Sequence, residues 1–178
     1  MSEEKKDPWL NHLALTTIVF AVCATLSTFK GGSFSTRSVI SQAQASDQWA
    51  FFQAKAIKGD LYQVQHEALQ TTLDALPANA PQAQRDVYVN KIAEYEKKIA
   101  KYKQEKSDIQ RSAQAFEAQR DAAQHQGRPF GVAVIFLQVA ILISSIAGLF
   151  KQRSIWFTAL PIGLIGLVYF ADGFFLFF

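Results

Sequence analysis

The chain has 178 residues, with 18 Lys/Arg against 15 Asp/Glu and a mean hydropathy near zero. That length suits one modest unit, and acids interleaved with bases exclude a nucleic-acid surface, which would gather one sign of charge. Cys23 is the only cysteine, which excludes an intramolecular disulfide.

The first element is an uncharged apolar stretch, Trp9–Phe29. A second runs over Phe130–Phe150, and a third over Ser154–Ala171, continuing to Phe178 past the lone Asp172. Each is long enough to cross a hydrocarbon core of ~30 Å, which takes about 20 helical residues. A lipid-embedded segment must satisfy its backbone internally, so all three read as transmembrane helices. The first is expected to be an uncleaved anchor. Its flank mixes Glu3, Glu4 and Asp7 with Lys5 and Lys6, and its apolar run exceeds a signal-peptide core. Asp7-Pro8 suits a helix start, with Asp7 as N-cap. Gly31-Gly32 is expected to end or bend that helix, and Ser33–Ser46 to be a linker or weak helix.

Between the first two spans, Lys30–Arg128 carries 14 Lys/Arg and 11 Asp/Glu. Ala50, Ala54, Ile57, Leu61, Val64, Ala68, Thr71 and Ala75 recur at alternating spacings of four and three, the pattern of a packed helical seam. Gly59 is expected to permit a bend. Pro77-Ala78-Asn79-Ala80-Pro81 marks a break, and Pro81 suits the opening of the next helix. The second arm has a cleaner heptad: Tyr88, Ile92, Tyr95, Ile99, Tyr102, Lys106, Ile109, Ala113, Phe116 and, past Arg120, Ala123. Gly127-Arg128-Pro129 is expected to end that arm.

Leu76 lies 46 positions beyond Lys30, and Gln82 lies 46 positions before Arg128. Matched arms suit a helical hairpin reaching roughly 70 Å if straight. One buried seam seldom holds two helices alone, so the hairpin is expected to pair with copies of itself. The turn Lys151-Gln152-Arg153-Ser154 makes the last two spans antiparallel neighbours, with Ser154 as a cap. The fold expected is therefore an all-α membrane protein. Its parts are a tail and first transmembrane helix over 1–32, an extramembrane antiparallel coiled-coil hairpin over 33–128 turning near 77–81, a second transmembrane helix over 129–150, and a turn and third helix over 151–178. Short loops dominate orientation, which favours the N-terminus and the 151–154 turn in the cytoplasm and the hairpin outside.

Asp172 is the one carboxylate in an apolar segment, about 26 Å along its helix from Ile155 and level with Lys30 and Arg128. An interfacial ion pair is its expected role. Gln138 and Ser144, with Ser145, are mid-span polar residues that suit hydrogen bonds between helices, or the lining of a pore between subunits. His12, His66 and His125 are dispersed; no metal or cofactor is expected, and no enzyme motif is present. Trp49, Phe51 and Phe52 fall within four residues, beside Gln53, Lys55 and Lys58. Adjacent helical positions differ by about 100°, so at least one aromatic must meet a second surface, whether a subunit, lipid or a partner.

The stretch Ser46-Asp47-Gln48-Trp49-Ala50-Phe51-Phe52-Gln53-Ala54-Lys55, after an anchor ending Lys30-Gly31-Gly32 and before Ile57-Lys58, resembles the bacterial membrane family catalogued as domain of unknown function 4337. The resemblance covers the whole chain and implies a multi-pass bacterial inner-membrane protein. It supplies no activity and no catalytic residues; Trp49, Gln53, Ala54 and Lys55 are the positions it implies. The expected function is a non-enzymatic membrane scaffold or adaptor that self-associates through its hairpin, with the bilayer, its own copies and a membrane protein as partners. The alternative expectation is a homo-oligomeric channel lined by Gln138, Ser144 and Asp172.

Overall fold

The computed structural model describes residues 8–177. The expected cap Asp7, the tail charges Lys5 and Lys6, and Phe178 lie outside them. The described chain is all-helical: α1 Pro8–Asp74, α2 Gln82–Leu149 and α3 Arg153–Phe175. Each helix is long and apolar enough to cross a membrane. Contacts divide the chain into two units, one built from residues up to Ile40 and from Gln119 onward, the other from Ser41–Ala118.

Two expected helix ends are absent, and Ser33–Ser46 takes the helical alternative. α1 runs through Gly31-Gly32 and through Ser33–Ser46, and α2 runs through Gly127-Arg128-Pro129. The glycines serve packing instead. A Cβ on Gly31 would stand 3.3 Å from the Phe130 Cβ, and one on Gly127 would stand 3.0 Å from the Phe34 Cβ. Phe34 stacks on Phe130, which is almost wholly buried. An interior proline costs a helix about 3 kcal/mol, and the packing of Phe130 next to Pro129 offsets part of that.

In the first unit α3 is shaped to receive large side chains. Gly163 faces the Phe20 ring, Gly166 faces Leu137, and Gly173 faces Phe130; a Cβ at any of the three would overlap its neighbour. Phe20, Ala24, Ala133, Leu137 and Ala140 form the core, with Cys23 and Ile141 packed against it. Trp156 is buried at the start of α3, where its indole N–H donates to Thr16 Oγ1 at 3.2 Å and its ring lies 6.3 Å from Trp9. Lipid tails are as apolar as leucine, so helices in a bilayer associate by close packing, and small residues permit it.

The connection between α2 and α3 differs from expectation in its cap. Gln152, not Ser154, holds the N-cap position of α3, and its side chain makes no capping bond. Lys151 adopts a left-handed backbone (φ 52°). Its N–H bonds to the Gly148 carbonyl and the Gln152 N–H to the Ala147 carbonyl, which satisfies the last carbonyls of α2.

In the second unit α1 and α2 meet through Trp49 with Glu117, Lys55 with Glu105, Tyr62 with Tyr95 and Tyr102, and His66 with Glu96. One number rises as the other falls, the order of antiparallel neighbours. The α2 heptad points inward as expected, with Ile92, Ile109 and Ala113 buried. The α1 seam is not the expected one. Ile57, Leu61 and Val64 are exposed, and the buried or half-buried positions include Ser41, Ala45, Gln48, Phe52, Lys55, Gly59, Tyr62, His66, Leu69, Leu73 and Leu76. This set also keeps the 4-3 spacing, on the opposite face. Gly59 lies on it within the continuous helix, and a Cβ there would come within 3.4 Å of the Tyr102 Cβ.

Glycine substitutions separate packing from flexibility. Gly166→Ala would drive a methyl to within 3.0 Å of the Leu137 backbone nitrogen, whereas Gly32 has nothing within 4 Å. Gly166→Ala is expected to destabilise the protein by about 1–3 kcal/mol, the usual cost of overpacking, and Gly32→Ala to be neutral or better. Unfolding titrations in mild detergent or bicelles check this; equal effects at both positions would contradict it.

Candidate functional site

The Trp49 region gathers aromatic and polar contacts between the two helices of the second unit. The Trp49 indole N–H donates to Glu117 Oε1 at 2.8 Å, and its ring meets Phe52 edge-on at 5.5 Å. Phe52 carries the Lys106 ammonium 5.4 Å above its ring. The Lys55 ammonium sits 2.7 Å from Glu105 Oε2, with Phe51 and Tyr102 rings 5.2 and 5.5 Å away. This ammonium holds the Glu105 carboxyl below its usual range. Trp49, Phe52 and Lys55 therefore face α2, while Phe51 is half exposed and Gln53 points outward. The helix angle requires that division: with Trp49 and Phe52 turned to one side, Phe51 cannot join them.

A second knot of charge lies further along. Tyr62 stacks on Tyr102 and meets Tyr95 edge-on, and the Lys98 ammonium lies 5.0 Å from the Tyr62 ring. The Glu94 carboxylate accepts from Lys91 at 2.8 Å and Lys98 at 2.6 Å, which holds its pKa at about 2. His66 lies 3.5 Å from Glu96, one helical turn from the Ile92 level that matched arms imply. Among the described residues, no three His, Cys, Asp or Glu side chains gather as a metal-holding group.

The apolar-segment candidates lie in separate surroundings. Gln138 is exposed on α2. Ser144 is fully buried, and its Oγ has no hydrogen-bond partner among the described residues. Asp172 is also buried, and it closes the end of α3: the Leu176 N–H donates to its carbonyl and the Phe177 N–H to its Oδ1, each at 2.6 Å. Leu176 takes the left-handed conformation that this turn requires. His125, Arg128, Tyr169 and Asp172 line one cavity of ≈ 350 Å³, and the Lys30 ammonium lies 6.0 Å over the Phe174 ring. Reasoning from residue types missed the capping role of Asp172. Its signal was an Asp in the last turn of α3, just before Gly173, where a carboxylate can meet the amides of a turn.

The two units thus contain a helix pair joined by aromatic, cationic and carboxylate tips, and a three-helix set joined by glycines. A family model described as a domain of unknown function (DUF4337) matches residues 9–176. The chain belongs to that family. No curated protein and no solved structure matches it. For this member of the DUF4337 family, the match spans both units and all three helices.

Two expectations follow from the polar groups. Ionised Glu94 is favoured in the folded chain, since its folded pKa lies below the ordinary 4.5. The contribution is therefore complete above the ordinary value and is lost as pH falls toward about 2. Glu94 lies at the surface, so the effect should shrink with salt. Thermal melts at pH 6 and pH 3 should differ less for Glu94→Gln than for the native chain; an unchanged difference would assign the acid sensitivity elsewhere. Leaving a buried hydroxyl unsatisfied costs about 1–3 kcal/mol, so Ser144→Ala is expected to leave the melting midpoint unchanged or raise it. A clear loss on Ser144→Ala would show that the hydroxyl holds helices together.

Proposed function

We propose that the chain is a non-enzymatic integral membrane scaffold or adaptor that self-associates through its charged helix pair. In this reading the three apolar helical segments lie in a bacterial inner membrane. The Ser41–Ala118 unit is the core of an antiparallel coiled-coil hairpin outside the bilayer, and the N-terminus is cytoplasmic. The observation that carries the reading is how the polar chemistry is used. Trp49, Lys55 and Asp172, the residues best suited to chemistry, are each engaged within the chain by Glu117, Glu105 and the α3 end respectively. What remains for other molecules is helix surface. A helix pair with one shared seam gains from further helices, which supports association with copies.

The channel reading draws little support from the placement of its residues. Gln138 is exposed, whereas Ser144 and Asp172 are buried at different places in the first unit.

Intact-complex mass spectrometry after gentle extraction from native membranes tests the proposal. A homo-oligomer, alone or with one stoichiometric membrane partner, is expected. A monomer at every protein concentration would refute self-association.

A further inference from the structure

The second unit holds an internal comparison between two helices of one pair. Over 97–111 the outward face of α2 is polar, with Lys97, Lys101, Gln104, Asp108 and Arg111 along it, and Val87 is an exposed apolar residue nearer its start. The outward face of α1 from Ala50 to Ala75 is an apolar stripe at 4-3 spacing. At its centre Ile57, Leu61 and Val64 are 69%, 55% and 63% exposed. A solvent-facing helix needs no such periodicity, and the inward seam of α1 is already occupied by α2. The stripe has the form of a coiled-coil seam without its partner.

We infer that this α1 stripe is the contact with a second copy of the chain, whose own α1 lies parallel to it. The inference rests on the self-association proposed above and names its surface. Placing Leu61 and Ala68 at heptad position a, and Ile57, Val64 and Thr71 at d, fixes the flanks. The g line is Asp60, Glu67 and Asp74; the e line is Lys58, Gln65 and Thr72. In a parallel pair g meets e of the next heptad in the other copy. That sets Asp60 near Gln65 and Glu67 near Thr72, with no like charges opposed. An antiparallel pair would set the acidic g line against itself. Two copies inserted the same way in one membrane present α1 in the same direction, so the permitted geometry is the parallel one. The flanking acids also argue against the stripe lying on a bilayer surface, where basic flanks are the rule.

Cysteine cross-linking in the full chain tests this. Cys23→Ser supplies a cysteine-free background, since Cys23 is the only native thiol. Leu61→Cys and Val64→Cys then report the stripe, and Lys101→Cys reports the outward face of α2, all under mild oxidation in native membranes. Facing seam positions fall within disulfide reach in a parallel pair. A several-fold excess of linked homodimer at Leu61→Cys and Val64→Cys over Lys101→Cys is expected. Leu61→Glu should lower the oligomer mass while helix content by circular dichroism is retained. Equal linking at all three positions in a preparation of oligomeric mass would overturn the surface and leave self-association standing. Linking of Leu61→Cys to a different protein would overturn the second copy as occupant. A monomeric mass throughout would overturn both readings.

Discussion

Apolar helices cannot be held together in lipid by apolarity, because the surrounding tails offer the same medium as a leucine side chain. Shape has to do it. In α3 the glycines at 163, 166 and 173 provide recesses for Phe20, Leu137 and Phe130, which come from both other helical segments of the unit. Each glycine weakens the isolated helix by about 1 kcal/mol relative to alanine. Close contact along a buried ring or leucine returns many small dispersion gains. The same trade governs Gly31 and Gly127, where the backbones of α1 and α2 approach around Phe34 and Phe130. Positions that would loosen an isolated helix become points of close approach between helices.

The charged unit uses other means. Its inward α1 positions include Gln48, Lys55, Gly59 and His66, too polar or too small to close a seam by burial alone. Long side chains from α2 complete it. Lys106 reaches over Phe52, and Lys98 over Tyr62 and Tyr95. Their stems cover aromatic surface while their charges stay near water. Each such contact is worth about 0.5–1 kcal/mol when exposed; the Glu94 carboxylate anchors Lys98, and Glu105 anchors Lys55 of α1, whose ammonium also lies over the Tyr102 ring. The seam is therefore specified more by register than by apolar area, since each ammonium has to reach its ring, and Lys55 and Lys98 a carboxylate as well.

This difference explains what could be read from residue order. Three apolar segments, the turn at Pro77–Pro81 and the α2 heptad were legible because length, proline and an aliphatic-aromatic period all pointed the same way. The α1 face was not. Counting apolar residues selects Ile57, Leu61 and Val64, whereas the side facing α2 carries Lys55, Gly59 and His66. Only knowledge of the partner tips (Glu105, Tyr102 and Glu96) makes those residues inward-facing. Gly31-Gly32 and Gly127-Arg128-Pro129 misled for a related reason. Local propensity treats glycine and proline as stops, and the opposing surface that rewards a missing Cβ is distant in sequence. The Trp49 cluster was legible as needing two surfaces. Which aromatic met which surface depended on α2.

With the proposed contact, α1 carries two seams in one stretch of helix, and α2 carries one. A helix with apolar or packing positions on opposite faces belongs inside an assembly, and one with a single such face belongs at its rim. The order this implies for a pair of copies is α1 against α1 at the centre, with each α2 outside on its own α1. The heavily charged outer face of α2 then remains in water, and the acidic g line of each α1 runs beside the neutral Gln65 and Thr72 of the other copy. The contacts made by α2 are compatible with that order. The Lys55–Glu105 and Trp49–Glu117 bonds both point away from the Ile57–Leu61–Val64 stripe, so a second copy can dock there without breaking either. Gly59, on the face between them and α2, lets α2 pack close to α1 from behind while the larger side chains of α1 remain on the opposite face.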